Sequence, residues 1–159
     1  MSKKEKMRKF REQVETEYKM QESYVSGFDK ENSAILMKMH RTSPDSVSED
    51  HLIHTMYLVE RAIACTEFAS DGKNEKIFSI CDFAQYARAN IPNSKQSRPT
   101  IQALQDHYPE RLKCHVVVWV DGGGFSRALV KTVWSVVKLF LDHETASKVQ
   151  FLFDEVSNM

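Results

Sequence analysis

The sequence contains no run of 18 uninterrupted apolar residues, and no apolar segment follows its charged N-terminus. It therefore predicts neither a membrane-spanning helix nor a secretory signal. An excess of one charge is also missing, because 22 Lys and Arg residues balance 22 Asp and Glu residues. Without a net field, an anionic ligand has to be held by local contacts. We expect a soluble, cytoplasmic protein.

Cysteine is sparse, and Cys65, Cys81 and Cys114 are widely spaced, each in or beside an apolar run. This pattern is typical of small buried side chains in a reducing compartment, so we expect neither a disulfide nor a zinc site. His51 and His54 have a spacing that would allow two imidazoles to reach one metal, but no third ligand accompanies them. We interpret both as part of a solvated helix face, and we expect no metal and no cofactor.

Motifs for catalysis and for nucleic-acid binding are missing as well. No Ser, Cys or Asp stands in a nucleophile elbow or in a local triad-like motif. Arg61, Arg88 and Arg98 lack the neighbouring aromatic residues that mark a nucleic-acid surface. We therefore expect neither an enzyme nor a nucleic-acid-binding protein. A length of 159 residues is sufficient for one ordinary domain with a hydrophobic core.

Regular patterns that are present predict alternating strands and helices. A turn is predicted at Gly27 and Asp29, and Ser46 with Glu49 forms a capping box at the start of a long helix. Pro99 lies near the first turn of a shorter helix, which Pro109 ends. Strands are predicted over 33–40, 76–83, 113–120 and 147–153, and helices over 3–20, 49–68, 98–107 and 125–141. This order is typical of an α/β layer fold with right-handed crossovers.

The segment WVDGGGF (119–125) places three glycines between a strand and a helix. Phosphate-binding glycine loops share this layout, but they continue into Gly-Lys-Ser/Thr or follow the GxGxxG spacing, and neither is present. We interpret the glycines as easing a tight turn from strand to helix. A nucleotide site is the alternative.

The predicted helix 125–141 has an unusually wide apolar surface. At about 100° per residue, its polar residues Arg127, Lys131, Ser135 and Lys138 fall in one arc of about 80°, and Trp134 lies at the edge of that arc. Apolar residues fill most of the remaining surface, whereas an ordinary surface helix has only an apolar stripe. The helix is therefore either buried between the sheet and a neighbour, or it faces an acyl chain or a bilayer surface.

The string DHYPERLKCHVVVWVDGGGFSRALVKTVWSVVKLFLDHETASKVQFL (106–152) resembles the second half of a CRAL-TRIO lipid-binding domain. The resemblance lies in YPERL, the buried strand, the small-residue turn ending in Phe, the apolar helix ending in FLD, and ET and SK before the last strand. Upstream, 24–41 is similar to the family's opening strand region and 51–63 to its first long helix. We assign 1–20 to an N-terminal helix and 21–155 to the lipid-binding domain.

The resemblance implies a βαβ sheet floor and a gate helix that together enclose one lipid. The helix 125–141 corresponds to that gate, with Lys131 and Lys138 as membrane contacts. In phosphatidylinositol-binding members, the head group is held by residues that correspond to Glu110, Thr145 and Lys148. The implied gate and pocket residues are Phe125, Leu129, Val133, Trp134, Val137 and Phe140. A structural ion pair between Glu110 and Lys148 is the alternative interpretation of those two residues.

Several positions depart from the family pattern. The family's Asp-x-x-Gly-Arg-Pro is replaced by Asp29-Lys30-Glu31-Asn32-Ser33-Ala34, and its Asn-Ala-Pro before the gate by Val120 to Gly124. The N-terminal helical module and the closing segment after the last strand are not recognisable. We predict a monomer that binds a phosphoinositide and visits membranes transiently. The alternative is a regulatory module that has lost its lipid, in which Phe83, Trp119 and Phe151 fill the pocket.

Overall fold

The protein was analysed as a computed structural model, which describes residues 2–19, 23–39, 49–83, 94–120 and 127–154. The helices are α1 (Lys3–Lys19), α2 (Glu49–Ala69), α3 (Ser94–His107), α4 (Arg127–Val137) and α5 (His143–Ser147), with a 3₁₀ turn at Lys138–Phe140 after α4. The strands are β1 (Ser23–Phe28), β2 (Ala34–Met39), β3 (Ile77–Asp82), β4 (Leu112–Val120) and β5 (Val149–Asp154). None of the helices in these ranges is long and apolar enough to cross a membrane.

The four predicted strands and four predicted helices are confirmed, with different ends. Helix α3 begins at Ser94, so Pro99 lies inside the helix rather than in its first turn as predicted. Strand β1 was not predicted as a separate strand, because Gly27 suggested a turn; it occupies a bulge with φ 63° instead. Helix α5 has only five residues, too few for a periodic pattern. The capping residue Ser46 lies outside the described residues.

The five strands form one sheet in chain order, β1-β2-β3-β4-β5. Strands β1 and β2 are antiparallel, and the remaining neighbours are parallel. Each parallel connection includes a helix, as parallel strands require. The register defines two cross-strand rows on one face, Leu36–Ser79–His115–Val149 and Lys38–Cys81–Val117–Phe151. We call this face the floor.

Helices α2 and α3 cover part of the floor. Val59, Ala62 and Ile63 of α2 are buried with Ala34 and Ile77, and Leu36 and Leu104 pack against this cluster. The buried stripe of α2 begins at His54, which is only 3% exposed. The prediction that His54 belongs to a solvated face is therefore wrong. His54 lies four residues before Leu58 and so shares its side of the helix.

A buried hydroxyl joins α2 to the first residue of β2. The backbone N–H of Ala34 donates to Thr66 Oγ1 at 2.9 Å, and the same hydroxyl donates to the Ala62 carbonyl at 2.9 Å. Ala34 and Thr66 are both fully buried. Thr66 therefore satisfies a backbone donor that water cannot reach.

The turn between β1 and β2 contains the position at which the family's glycine is replaced. Asn32 occupies that position in the left-handed region, with φ 61°, which Asn tolerates better than most residues. The Oδ1 atom of Asp29 accepts hydrogen bonds from the N–H groups of Glu31 and Ser33 at 2.9 and 2.8 Å. Asn32 therefore adopts a φ that glycine adopts freely, and the Asp29 carboxylate stabilises the turn.

We expect Asn32→Ala to lower the free energy of unfolding by about 1 kcal/mol, because alanine is disfavoured in the left-handed region. Asn32→Gly should stay close to the parent protein, since glycine adopts this φ freely. Urea denaturation of the two variants measures the difference. Equal losses in both variants would show that the Asn32 side chain, and not its φ, matters.

Candidate functional site

Helix α4 presents different residues to the protein and to solvent. Val130 is buried, and Val133, Val137 and Phe140 are half-buried. Lys131, Ser135 and Lys138 are exposed, and so are two apolar residues beside them, Val136 at 46% and Leu139 at 80%. The outer surface therefore combines cations with apolar side chains. Residues 121–126, which include Phe125, lie outside the described residues, as do the side chains of Arg127 and Leu129.

We call α4 together with the 3₁₀ turn Lys138–Phe140 the α4 segment. Two aromatic contacts attach the α4 segment to its neighbours. The Trp134 ring meets Phe151 of the floor edge-on, with 5.4 Å between ring centroids and 68° between planes. At the end of the segment, the Arg98 guanidinium of α3 lies 5.4 Å from the centre of the Phe140 ring. Trp134, one of the implied gate and pocket residues, therefore points toward the sheet. Trp119, the third of the predicted pocket-filling residues, has no described side chain, and Phe83 is half-buried.

The short helix α5 carries two of the three implied head-group residues. Asp142 is its N-cap and accepts from the Thr145 N–H at 2.8 Å and from the Thr145 hydroxyl at 2.6 Å. Gln105 of α3 donates to the same carboxylate at 3.1 Å. The bonds from Thr145, followed by the bond from Gln105, lower the pKa of Asp142 to about 2. The Thr145 hydroxyl is thus already hydrogen-bonded within the protein.

Lys148 follows α5 directly and caps its C-terminal end. Its Nζ atom lies 2.7 Å from Glu144 Oε1, and its side chain is 17% exposed against 62% for Glu144. Its carbonyl accepts from the His115 N–H at 2.9 Å, where β5 begins to pair with β4. The Lys148 side chain is therefore mostly buried, and its backbone is fixed to the edge of the sheet.

Glu110 lies in the turn before β4 and is exposed, with φ 59°. Its neighbour Arg111 pairs with Glu75 at 2.6 Å, and Tyr108 donates to Glu60 at 2.8 Å, so α2 and the loop before β3 hold the turn. Among the described residues, Lys148 pairs with Glu144, and no ion pair joins it to Glu110. The alternative of a structural Glu110–Lys148 pair is therefore not what the structure contains.

The three implied head-group residues nevertheless lie at one edge of the sheet. Glu110 precedes β4, and Thr145 and Lys148 precede β5. Because β4 and β5 are adjacent and parallel, their amino ends meet at the same edge. The structure thus brings a carboxylate, a hydroxyl and a cation to one edge, next to the end of the α4 segment.

A polar group on the floor was not predicted from the sequence. His115 Nδ1 lies 3.0 Å from Ser79 Oγ, and the next row of the floor contains Lys38 beside Cys81. Burial, and then the positive charge of Lys38, lowers the pKa of His115 to about 4 and also lowers the pKa of buried His54. These histidines are therefore neutral near pH 7. The strand register, which cannot be read from the sequence, brings His115, Ser79 and Lys38 to one face of the sheet.

Thiol and metal chemistry has little support in the described residues. Cys65, Cys81 and Cys114 are free, and burial raises the pKa of Cys81 to about 12. Such a thiol is a poor nucleophile, because the thiolate is the reactive form. No group of three potential metal ligands was found in the part of the chain that the structure describes.

Comparisons with known proteins agree with this architecture. The family model of the CRAL/TRIO domain matches residues 18–159. A CRAL-TRIO domain-containing protein of Schizosaccharomyces pombe is 29% identical over 135 residues, covering 80% of this chain and 36% of that protein. The phosphatidylinositol transfer protein PDR17 of Saccharomyces cerevisiae is 31% identical over 151 residues, covering 91% of this chain and 39% of that protein.

Among solved structures, the crystal structure of Sfh5 superposes with a TM-score of 0.68 at 17% identity, over 84% of this chain and 48% of that one. That likeness supports the α/β fold. The chain spans less than two fifths of the length of the two curated relatives. Since the family model covers nearly the whole chain, this protein belongs to the CRAL/TRIO family of lipid-binding domains.

Proposed function

We propose that this domain binds one phosphatidylinositol molecule between the floor and α4 and carries it between membranes. The observation that carries the proposal is that Glu110 precedes β4 while Thr145 and Lys148 precede the adjacent parallel strand β5, in the part of the chain that follows α4. The similarity to a protein named for phosphatidylinositol transfer supports the choice of lipid. The bound lipid would be the only ligand, with no further cofactor.

Each of the three residues matches one part of the head group. A phosphodiester is stabilised by a fixed ammonium and by a hydroxyl donor, which Lys148 and Thr145 would supply. The hydroxyls of inositol are donors, and the exposed carboxylate of Glu110 would accept from them. The acyl chains would lie under α4, against Val133, Val137 and the floor, where they are removed from water.

The outer surface of α4 is suited to brief contact with a bilayer. Lys131 and Lys138 are exposed beside Val136 and Leu139, so cations would meet phosphates while the apolar side chains enter the interface. Opening of α4 would break the contact between Trp134 and Phe151 and expose the lipid. We propose that a monomer does this, returning to the cytoplasm with α4 closed.

We expect Lys148→Met to lower phosphatidylinositol extraction from vesicles about tenfold or more, because the phosphodiester loses a charged donor in a mostly buried position. The assay measures the labelled phosphatidylinositol that is transferred from vesicles to each variant. A circular-dichroism melt of the same variant shows whether it is folded. Lys73→Met, which removes an exposed lysine of the loop before β3, is the matched control. Unchanged extraction by a folded Lys148→Met protein would refute the head-group assignment.

A second candidate function is a regulatory module of the same fold without lipid. It is favoured by the contact between Trp134 and Phe151, which occupies space beneath α4. Native mass spectrometry of protein purified from cells separates the two. A bound phospholipid supports transfer, whereas a spectrum of the protein alone, together with no extraction from vesicles, supports the regulatory module.

A further inference from the structure

Both donors that the proposed head-group site offers are engaged by carboxylates of the same short segment. The Thr145 hydroxyl donates to Asp142 at 2.6 Å, and the Lys148 ammonium donates to Glu144 at 2.7 Å. These bonds have the geometry of charged hydrogen bonds. A phosphodiester that entered the site would need the same donors, so it would have to compete with both carboxylates.

The two carboxylates differ in what else they hold. Asp142 caps α5 and is bonded to Gln105, so it joins α3 to α5. Glu144 is 62% exposed, and Lys148 is the one ion-pair partner that the structure gives it. Removing the Asp142 charge would disturb the local fold, whereas removing the Glu144 charge would change little except the state of Lys148.

The exposure of the pair indicates which partner can leave. Lys148 is mostly buried and tied to β4 through its backbone, whereas the Glu144 carboxylate is largely in water. An exposed carboxylate four residues away on a helix contributes little to stability, with a free energy of about 0.3–1 kcal/mol. Glu144 can therefore swing into solvent at small cost, while the ammonium stays in place for an incoming phosphate.

We propose that Glu144 determines the strength of head-group binding by occupying Lys148 with a carboxylate in place of the lipid phosphate. This inference rests on the proposed function, since it concerns the same site. A lipid whose head group carries no phosphate gains nothing by displacing Glu144, whereas a phosphodiester exchanges one anion for another. Glu144 thereby lowers affinity for phosphatidylinositol and allows its release.

The test uses the full chain with phosphatidylcholine vesicles that contain either labelled phosphatidylinositol or labelled diacylglycerol, a lipid without a phosphate. We expect Glu144→Gln to extract about two- to fivefold more phosphatidylinositol, which is the free energy of the lost pair expressed as a ratio. Extraction of diacylglycerol should not change. The gain should shrink as salt is added, because the competing charges become screened.

Glu12→Gln is the control, because Glu12 also lies within ion-pair distance of a cation four residues away on a helix, at 3.8 Å from Arg8 of α1. It should leave extraction unchanged. With normal extraction by the parent protein, lower extraction by Glu144→Gln would show that Glu144 positions Lys148, and equal extraction would show that it does not compete with the lipid. Either result would overturn this inference alone. Absence of extraction by the parent and by every variant would overturn the proposed function and this inference with it.

Discussion

At pH 5 the protein is expected to be less stable to unfolding than at pH 7, by up to about 2 kcal/mol from His115 alone. Burial and Lys38 hold the pKa of His115 at about 4 in the folded protein, against 6.5 for an ordinary histidine. Between these values the unfolded chain binds a proton that the folded protein does not. His115 is only partly buried, so about 2 kcal/mol is the upper value of its contribution to the free energy of unfolding.

The direction of the effect follows from the lowered pKa. Stability is complete above pH 6.5, falls as the pH is lowered toward 4, and levels off below the folded pKa. His54 adds to the decline, because its pKa is lowered by the same two causes. The carboxylate of Asp142, with a pKa of about 2, stays ionised throughout this window and does not contribute.

Urea unfolding at pH 7 and pH 5 measures the decline. His115→Gln should remove most of it, because glutamine can bond to Ser79 but does not titrate between these values. The matched control is His107→Gln, at an exposed position near the end of α3, which should retain the decline. A His115→Gln protein with the same pH dependence as the parent would show that another group is responsible.

The second large effect is expected from Thr66→Val, which should lower the free energy of unfolding by about 2 kcal/mol. Valine keeps the shape of threonine but removes the hydroxyl that accepts from the Ala34 N–H. That donor is then left in a fully buried position without an acceptor. A buried N–H group without an acceptor lowers the free energy of unfolding by more than the intact hydrogen bond contributes to it.

Thr66→Ser is the control for this effect, since serine keeps the hydroxyl and loses one methyl group. Its loss should be about 1 kcal/mol or less. Denaturant titration of both variants, with equal slopes, gives the comparison. A serine variant less stable than the valine variant would mean that methyl packing, and not the hydrogen bond, is what the core requires at this position.

The sequence predicted the central strands because their signals are local. Strand β4 is a run of β-branched residues without alternation, and Val116 and Val117 are indeed buried next to each other. The long helix α2 followed from its periodic apolar positions. The implied head-group residues Glu110, Thr145 and Lys148 came from resemblance, since their spacing in the chain carries no sign of a shared site. Their role in binding remains a prediction.

What the sequence did not predict depends on contacts between distant segments. His54 looked like a residue of a solvated face, but its place one turn before Leu58 turns it toward β2 and the charge of Lys38. Trp134 was expected among the gate and pocket residues from the resemblance, but its edge-on contact with Phe151 of β5 could not be read from the sequence. Likewise, Lys148 pairs with Glu144 on its own helix and not with Glu110. The sequence allows either pair, and only the coordinates show which one forms.

The chain order of the strands has a consequence for synthesis. Each strand pairs with the strand that precedes it in the chain. When a new strand emerges from the ribosome, its neighbour in the sheet has therefore already been made, and few long loops have to close first. Strand β5, which supplies Phe151 beneath α4 and follows Lys148, is the last to join. The proposed lipid site would therefore be completed only at the final pairing step, and a nascent chain could acquire the proposed ligand only when the sheet is whole.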